Sequence, residues 1–526
     1  MLIGYVSDER YLALPDAQVE IEGAHLAIEV RSRASGAVHA DLSPGTYTVT
    51  LAKAGHGSKR VVATLGDGRI HHFRLLPDTL LGYAWPRAVR AGERSEYRVH
   101  SPEAYKMELW RYGREKRLVR PISWLDEHGP RATVQVTPDG DYTRTGVRWN
   151  EIGYRAAASN QWVTAPDHSG LYYFHAKGAS GAFFSFPWIV APARPSASIA
   201  VVLSDFNWTA YNNFGGRSNY IHPEGLPPTP TIHARGELRR YNDPEFSAYE
   251  VEEYPPLSMD RPEPINFSPE HERPTDPIEG RAANHVAPAE WRLLAWMERE
   301  GLAYDVYSES QLHAGQLDLA AYRLLVLGPH PEYWSDRMYR QVKAWVHDRG
   351  GRLAYLGGNG INCAIEILNE STIRVLNGDA RAMRQGGFES RFHYRVEPEA
   401  ALLGVAYTEA GVMTAAPYEV RDATHWVFEG TALADGDRFG QRSQHMRIPG
   451  GASGHETDKI TASSPRNIQL LAKGLNPDDG GAEMVTYETP SGSAVFSTGS
   501  ICWVSSLLVD ENVSRITANV LRRFSR

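Results

Sequence analysis

The chain has 526 residues, of which 42% are hydrophobic and 22% charged, and its formal net charge is -8. A chain of this length exceeds a single hydrophobic core, so we expect about two to four domains of a globular protein. The acidic balance and the lack of a basic block argue against a nucleic-acid-binding protein.

The N-terminal sequence MLIGYVSDERYLALPD has no basic segment followed by a long apolar stretch, so we expect no secretory signal. No window approaches the roughly 18 uninterrupted apolar residues of a membrane-spanning helix, so we expect no membrane partner. The two cysteines, Cys363 and Cys502, are too few for a disulfide framework or a cysteine-based zinc site. A cytoplasmic location is the resulting expectation.

Residues 1–78 alternate apolar and polar side chains between Gly, Pro and Asp turns, as in AQVEIEG, GTYTVTLAK and RVVATL. This pattern is typical of short strands in an antiparallel sandwich. The stretch resembles the carboxypeptidase regulatory-like domain, with Gly4, Val6 and Asp8 at its start and SPGTY at 43–47. The resemblance implies a structural or assembly module.

Residues 79–195 also read as β structure, with SEYRVHS, KMELWRYG and ATVQVTP followed by the alternating pair SGLYYFHAKG and GAFFSFPWIVAP. We predict a second, immunoglobulin-like sandwich here. Pro192 and Pro195 then form a short linker.

From residue 196 the pattern changes to strands that alternate with helices. The apolar runs 198–203, 322–328 and 351–358 read as buried strands, and 289–300 and 336–349 have helical spacing. Such alternation predicts a doubly wound parallel sheet over residues 196–526, similar to the flavodoxin-like or class I glutamine-amidotransferase-like fold. The chain is therefore predicted to be a multidomain β plus α/β protein.

An unusually long connection, residues 204–286, follows the first strand of this sheet. Loops of this length in a compact domain are either disordered or functional, and we interpret this one as functional. It begins at the carboxyl end of a strand, as do the loops at 328–335 and 357–360, and ligands bind at that edge of open α/β sheets. Taken singly, each loop motif is more typical of scaffolding or packing than of a site.

Several short motifs of the C-terminal part occur in order over some 330 residues. They are TAYN at 209–212, GRSNY at 216–220, HPEYWS at 330–335, LGGNG at 356–360, SGHETD at 453–458 and VFSTGSICW at 495–503. Together they resemble the large (catalytic) subunit of the N,N-dimethylformamidase family. The resemblance implies a hydrolase of linear amide C–N bonds, acting on a small N-substituted amide similar to N,N-dimethylformamide.

The same resemblance implies one mononuclear ferric iron held by Tyr211, Tyr220 and Glu332, with Tyr249 or Tyr254 as alternatives to Tyr220. It also implies that His330 transfers protons and that Glu456 supports the site. Hard, anionic oxygen ligands suit Fe(III) and disfavour copper or zinc. A phenol with a pKa of about 10 needs such a cation to ionise at neutral pH.

The substrate pocket is predicted to be lined by Trp208, Phe214, Asn359 and Trp334. The three aromatic residues that are predicted to form its apolar wall with Tyr333, which would exclude water from the amide, are Trp208, Phe214 and Trp334. A glutamine-amidotransferase mechanism is rejected, because the strand-end turn that would carry its nucleophilic cysteine contains His330-Pro331-Glu332. The alternative is a non-catalytic binding or structural protein that retains the α/β fold. We expect a homo-oligomer, with a requirement for a small partner subunit left open.

Overall fold

The computed structural model describes residues 1–123, 134–152, 161–232, 254–378 and 380–526. Within these ranges β structure dominates, and the strands lie in several separate sheets. This confirms a multidomain protein rich in sandwich-like β-sheets. Tyr249, an alternative metal ligand from the sequence, lies outside the described residues.

The N-terminal part contains short strands with alternating burial. They are β1 Leu2–Ser7, β2 Gln18–Gly23, β3 Leu26–Arg31, β4 Ala37–His39, β5 Gly45–Lys53, β6 Gly57–Leu65 and β7 His71–Arg74. One sheet has the order β4-β1-β7, and β6-β5-β2-β3 are neighbours in a second. Val19, Ile21, Val49 and Leu51 are buried between the sheets because every second residue of β2 and β5 faces inward.

The next part begins at residue 81 and ends at residue 191. Its elements are β8 Leu81–Trp85, β9 Ala88–Arg90, β10 Arg94–His100, β11 Tyr105–Tyr112, β12 Lys116–Ser123, β13 Val134–Gln135, α1 Tyr142–Thr145, α2 Trp149–Ile152, β14 Trp162–Thr164, β15 Gly170–Gly178 and β16 Phe183–Ala191. Its sheets have the orders β14-β10-β8 and β12-β11-β15-β16-β9. Strand β13 pairs in parallel with β6, so it extends a sheet of the first sandwich.

The C-terminal part has many short strands and most of the described helices. The strands are β17 Ile199–Leu203, β18 Leu257–Ser258, β19 Asp305–Ser308, β20 Leu324–Leu327, β21 Tyr333–Trp334, β22 Arg352–Tyr355, β23 Cys363–Asn369, β24 Thr372–Leu376, β25 Ala406–Thr408, β26 Ala415–Ala416, β27 Tyr418–Val420, β28 Arg438–Phe439, β29 Ser453–Gly454, β30 Thr457–Lys459, β31 Gln469–Gly474, β32 Glu483–Glu488 and β33 Ala494–Ser497. The helices are α3 Asp205–Tyr211, α4 Ala287–Arg299, α5 Glu309–His313, α6 Asp336–Arg349, α7 Ala380–Gly386, α8 Arg391–Arg395, α9 Ala400–Leu403, α10 Cys502–Ser506 and α11 Glu511–Phe524. Short 3-10 turns lie at Pro264–Asn266, Ala282–Asn284, Leu319–Ala321 and Trp426–Phe428.

The central sheet of this part is mixed, with the order β19-β17-β20-β22-β33-β32-β31-β27-β28. Its first five strands are parallel, and the pairings from β33 to β28 are antiparallel. The predicted doubly wound parallel sheet is therefore not confirmed, because only one half of the central sheet is parallel. Strands β31 to β33 follow each other through short connections, which favour antiparallel hairpins over the crossovers that parallel strands need.

Two hydrophobic cores lie on the opposite faces of the central sheet. Val201 of β17 packs in one core with residues of α4 and α11, whereas Val202 packs in the other with residues of α6. Strands buried on both faces need continuous apolar sequence, which explains the unbroken run IAVVL. No described helix is long and apolar enough to cross a membrane.

Candidate functional site

The candidate site lies where the connections after neighbouring parallel strands meet. Strand β17 leads directly into α3, whose last residue is Tyr211, and β20 leads into the turn that carries His330 and Glu332. Strands β17, β20 and β22 are adjacent in the sheet, so the polypeptide leaves all three at the same edge. The expectation that these loops converge is met by the side-chain contacts between them.

Three oxygen atoms form a compact triangle at this edge. The hydroxyl oxygens of Tyr211 and Tyr220 are 2.7 Å apart, and they lie 3.1 and 2.9 Å from Oε2 of Glu332. Glu332 is 1% exposed and Tyr220 is 8% exposed. The three side chains that the sequence predicted as metal ligands are thus brought together by two loops that are distant in sequence.

Glu332 is a buried carboxylate with strong compensating partners. Its Oε1 accepts a hydrogen bond of 2.7 Å from Arg391, and its Oε2 lies 3.1 Å from Nε2 of His330. Burial acts to raise the pKa of Glu332, but the His330 hydrogen bond and charge and the Arg391 charge outweigh it and lower the pKa to about 2. Glu332 is therefore an anion over the physiological pH range.

The orientation of His330 is determined by the backbone. Nδ1 donates to the carbonyl oxygen of Gly358 at 2.8 Å, so Nε2 faces the hydroxyl of Tyr211 at 3.2 Å and Oε2 of Glu456 at 3.6 Å. A Cβ atom at Gly358 would collide with the backbone oxygen of Glu456. Glycine at this position therefore permits the close approach that places His330 between the two glutamates.

Glu456 is held by two donors, one on each carboxylate oxygen. Arg281 donates to its Oε1 at 2.9 Å and Asn359 donates to its Oε2 at 2.8 Å.

Tyr211 stands next to this group. The centroid of its ring lies 4.3 Å from the centroid of the His285 ring, in an edge contact. Burial and then the Glu332 charge raise the pKa of Tyr211 well above its usual value, so its ionisation requires a nearby cation.

The family described as N,N-dimethylformamidase beta subunit-like, C-terminal, matches residues 101–515. This chain belongs to that family. The match contains every element that carries the candidate site and starts after the first sandwich.

Two curated members of the N,N-dimethylformamidase family are similar to the chain, each named N,N-dimethylformamidase beta subunit. The protein of Paracoccus aminophilus is 26% identical over 404 residues, which are 65% of this chain and 50% of that protein. The protein of Alcaligenes sp is 26% identical over 402 residues, 64% of this chain and 50% of that protein. The chain thus spans about half the length of the curated relatives it matches.

The family predicted from the motifs is confirmed, whereas the matched proteins are named beta subunits and not large subunits. Among solved structures, a DUF3823 family protein from Bacteroides ovatus is 8% identical and covers 35% of this chain and 98% of that chain. Its TM-score is 0.13, which carries no information on the fold of this family member.

The four side chains predicted to line the substrate pocket lie in separate parts of the structure. Asn359 contacts Glu456, but Trp208 and Trp334 belong to the cores on opposite faces of the central sheet and donate to Glu290 and Glu309. Phe214 packs in the core of the second sandwich. Asn359 is joined to the site by its hydrogen bond to Glu456, and the pocket role of the other three stays a prediction.

Several residues around the oxygen triangle were not predicted from the sequence of this family member. Arg391 begins helix α8, Arg281 precedes a 3-10 turn, and neither lies in a motif that signals a site. Their role as partners of Glu332 and Glu456 depends on contacts between residues 59 and 175 positions apart. Tyr333 was predicted only as an apolar wall residue, although its hydroxyl contacts that of Tyr220.

Proposed function

We propose that this chain is an amidohydrolase that binds one ferric iron through Tyr211, Tyr220 and Glu332. Membership of a family whose curated relatives are named N,N-dimethylformamidase subunits supports an amide C–N hydrolase. The observation that carries the proposal is the triangle of three oxygen atoms from these side chains.

The size of the triangle fits an ion with oxygen ligands. Metal–oxygen bonds of about 2.0–2.2 Å at right angles place two ligand oxygens about 2.8–3.1 Å apart. The oxygens of Tyr211, Tyr220 and Glu332 are separated by 2.7, 2.9 and 3.1 Å. Two phenols and one carboxylate are hard donors, which suit Fe(III) better than zinc or copper.

The tyrosines are essential to this assignment. Among the described residues, no group of three or more His, Cys, Asp or Glu side chains could hold a metal ion. An ion at this edge of the sheet would therefore depend on the two phenol oxygens beside Glu332. The 2.9 Å contact of the Tyr220 hydroxyl with Glu332 supports Tyr220 over Tyr254 as the second phenolate.

Hydrolysis of an amide adds a water hydroxyl to the carbonyl carbon, transfers a proton to the nitrogen and breaks the C–N bond. Bound iron would polarise the carbonyl and acidify water. In its neutral form, His330 is placed to accept the water proton at Nε2 and to deliver it to the departing nitrogen, because its Nδ1 hydrogen is donated to Gly358. Glu456 orients that Nε2 from 3.6 Å and is itself held by Arg281 and Asn359.

The substrate is proposed to be a small N-substituted amide, similar to N,N-dimethylformamide, and the products a carboxylate and an amine. The parallel half of the central sheet, with helices on both faces, would act as the doubly wound scaffold for the site. The name beta subunit of the relatives supports a second subunit as partner, and a homo-oligomer is the alternative assembly.

The proposal is tested by metal analysis and amine release. The purified full chain, reconstituted with ferric iron, should hold about one iron per chain, show a visible tyrosinate charge-transfer band and release amine from a panel of small amides. Glu332→Gln keeps the size of the side chain and removes its charge, so it should lose both iron and activity. Glu366→Gln, at an exposed glutamate paired with Arg374, is the matched control.

A colourless, inactive wild-type protein after reconstitution would contradict the proposal and favour the non-catalytic alternative. Full iron content in Glu332→Gln would exclude Glu332 as a ligand. Activity that persists in iron-free protein would show that the chain hydrolyses amides without the metal.

A further inference from the structure

A closed ring of hydrogen bonds surrounds one side of the proposed iron ligands. Its six members are fully or almost fully buried polar side chains from four segments of the chain: Glu332, Arg391, Asn377, Asn219, Tyr333 and Tyr220. Two of them, Glu332 and Tyr220, are proposed ligands, and the other four have no role in the proposed function.

The contacts of the ring run in sequence from one ligand to the other. Arg391 donates to Glu332 Oε1 at 2.7 Å with one nitrogen and to Oδ1 of Asn377 with another. Asn377 Nδ2 donates to Oδ1 of Asn219 at 3.0 Å, and Asn219 Nδ2 donates to the hydroxyl oxygen of Tyr333 at 2.9 Å. The hydroxyl of Tyr333 contacts that of Tyr220.

The arginine fixes the direction of the bonds that the two amides of the ring make. A guanidinium has donors only, so Arg391 must meet the oxygen of the Asn377 amide, and the nitrogen of that amide must face Asn219. The Asn219 oxygen accepts from this nitrogen of Asn377, so the nitrogen of Asn219 faces Tyr333. The oxygen of Tyr333 accepts from Asn219, and if Tyr220 is a phenolate the hydrogen in its contact with Tyr333 must come from Tyr333.

We propose that Tyr333 is a positioning residue that donates a hydrogen bond to the oxygen of Tyr220. This hydrogen bond would set how strongly that oxygen binds the iron and how much electron density it donates to it. The inference rests on the proposed function. A phenolate on a metal has no hydrogen and can only accept, so a fixed donor beside it is a matched partner. Partners of metal ligands commonly tune the metal in this way.

The fold explains why Tyr333 can take this position. Tyr333 and Trp334 form the short strand β21, in which successive side chains point to opposite faces. Trp334 therefore turns away to donate to Glu309 at 2.9 Å, while Tyr333 turns toward Tyr220. Tyr333 is 0% exposed, so water does not compete for its hydroxyl.

The test compares Tyr333→Phe with wild type in the full, iron-loaded chain. Loss of the donor leaves the Tyr220 oxygen a stronger electron donor, so the charge-transfer band should move to longer wavelength at unchanged iron content. The iron becomes a weaker Lewis acid, so kcat should fall about tenfold while KM changes little, the scale of one hydrogen bond to a charged oxygen. Tyr339→Phe, which removes another buried tyrosine hydroxyl bonded to Pro398 O, should leave band and kcat unchanged.

The direction of the bond is tested by Asn219→Asp. This change replaces the donating nitrogen by an oxygen that accepts, so the hydroxyl of Tyr333 should turn to the new carboxylate and away from Tyr220. The band should shift to longer wavelength, as in Tyr333→Phe, and this variant keeps the test available if Tyr333→Phe does not fold.

Three results would overturn the inference. An unshifted band in both variants would show that Tyr333 donates nothing to Tyr220. Loss of iron in Tyr333→Phe as complete as that expected for Glu332→Gln would make Tyr333 a ligand. A wild-type chain that binds no iron would overturn the proposed function together with this inference, whereas the first two results leave the proposed function intact.

Discussion

At the residue scale, His330 is the side chain whose proposed role differs most from that of its neighbours. Its contacts with Gly358, Glu332 and Glu456 orient it beside the proposed ligands, where we assign it proton transfer. We predict that His330→Asn keeps the iron and the charge-transfer band but lowers kcat by about 10²–10⁴-fold, the usual loss on removing a proton-transfer group. Turnover and metal content measured on one preparation check this. The control is His347→Asn on helix α6. Loss of iron in His330→Asn would contradict the assignment of His330 to proton transfer and not to iron binding.

Glu399, also at the residue scale, links stability to pH. Burial, opposed by a Ser390 hydrogen bond of 2.6 Å and aided by the charges of Asp458 and Glu389, raises the pKa of Glu399 to about 8. Because the pKa of Glu399 is higher in the folded chain than the unfolded value of 4.5, the protonated side chain stabilises the fold. This contribution is fully present below pH 4.5 and is lost as the pH rises through about 8. Glu399→Gln has no such loss, so its free energy of unfolding relative to wild type should increase between pH 5 and 9 by on the order of 2–4 kcal/mol. Urea unfolding at several pH values tests it, and parallel curves for both proteins would contradict it.

At the element scale, local signals predicted some elements closely. Helix α6 matches the predicted range 336–349, because the Ser335 side chain accepts from Met338 at its start and Gly350 ends it with φ 77°. Helix α3 was assigned to a loop, since DFNWTAY is too short and too uniformly buried to show an amphipathic period.

Contacts between distant elements were less predictable. The strand-end rule and the motifs indicated that Tyr211, Tyr220 and Glu332 share one edge of the sheet. The antiparallel half of the sheet and the bond from Arg391 to Glu332 depend on tertiary pairing, which leaves no periodic pattern in the chain. Pattern reasoning therefore predicted that the three side chains meet but missed Arg391 and the other side chains that hold them in place.

The prediction at this scale concerns Arg74 in strand β7. The fully buried guanidinium donates to the carbonyl oxygens of Asp8, Gly140 and Gly215, which joins the first sandwich to the loop that leads to Tyr220. Arg74→Met would leave these acceptors unpaired, so we expect a loss of stability on the order of 3 kcal/mol or more and reduced iron content. Arg69→Met removes an exposed arginine of the same sandwich and is the control. Unchanged stability and iron content in Arg74→Met would show that the first sandwich does not hold the loop.

At the scale of the whole molecule, the site depends on all three parts of the chain. The loop between α3 and Tyr220 contacts the first sandwich through Gly215 N and Glu9 O at 2.6 Å, and Phe214 packs in the core of the second part. The central sheet then supplies Glu332 and His330. This arrangement argues that the first sandwich supports the site, in addition to any role in assembly.

Removal of the metal should therefore affect the stability of the whole molecule. An ion that joins Tyr211 to Glu332, 121 residues apart, binds the folded chain and not the unfolded one. A ligand at about a thousandfold excess over its Kd stabilises the folded state by about 4 kcal/mol. We expect the iron-loaded chain to melt several degrees above the same chain treated with a chelator, with full recovery on adding ferric iron. Glu332→Gln should melt at one temperature with or without iron. Equal melting temperatures for loaded and stripped wild type would mean that no ion bridges the two loops, and the oxygen triangle would then be a hydrogen-bonded cluster of neutral phenols around one carboxylate.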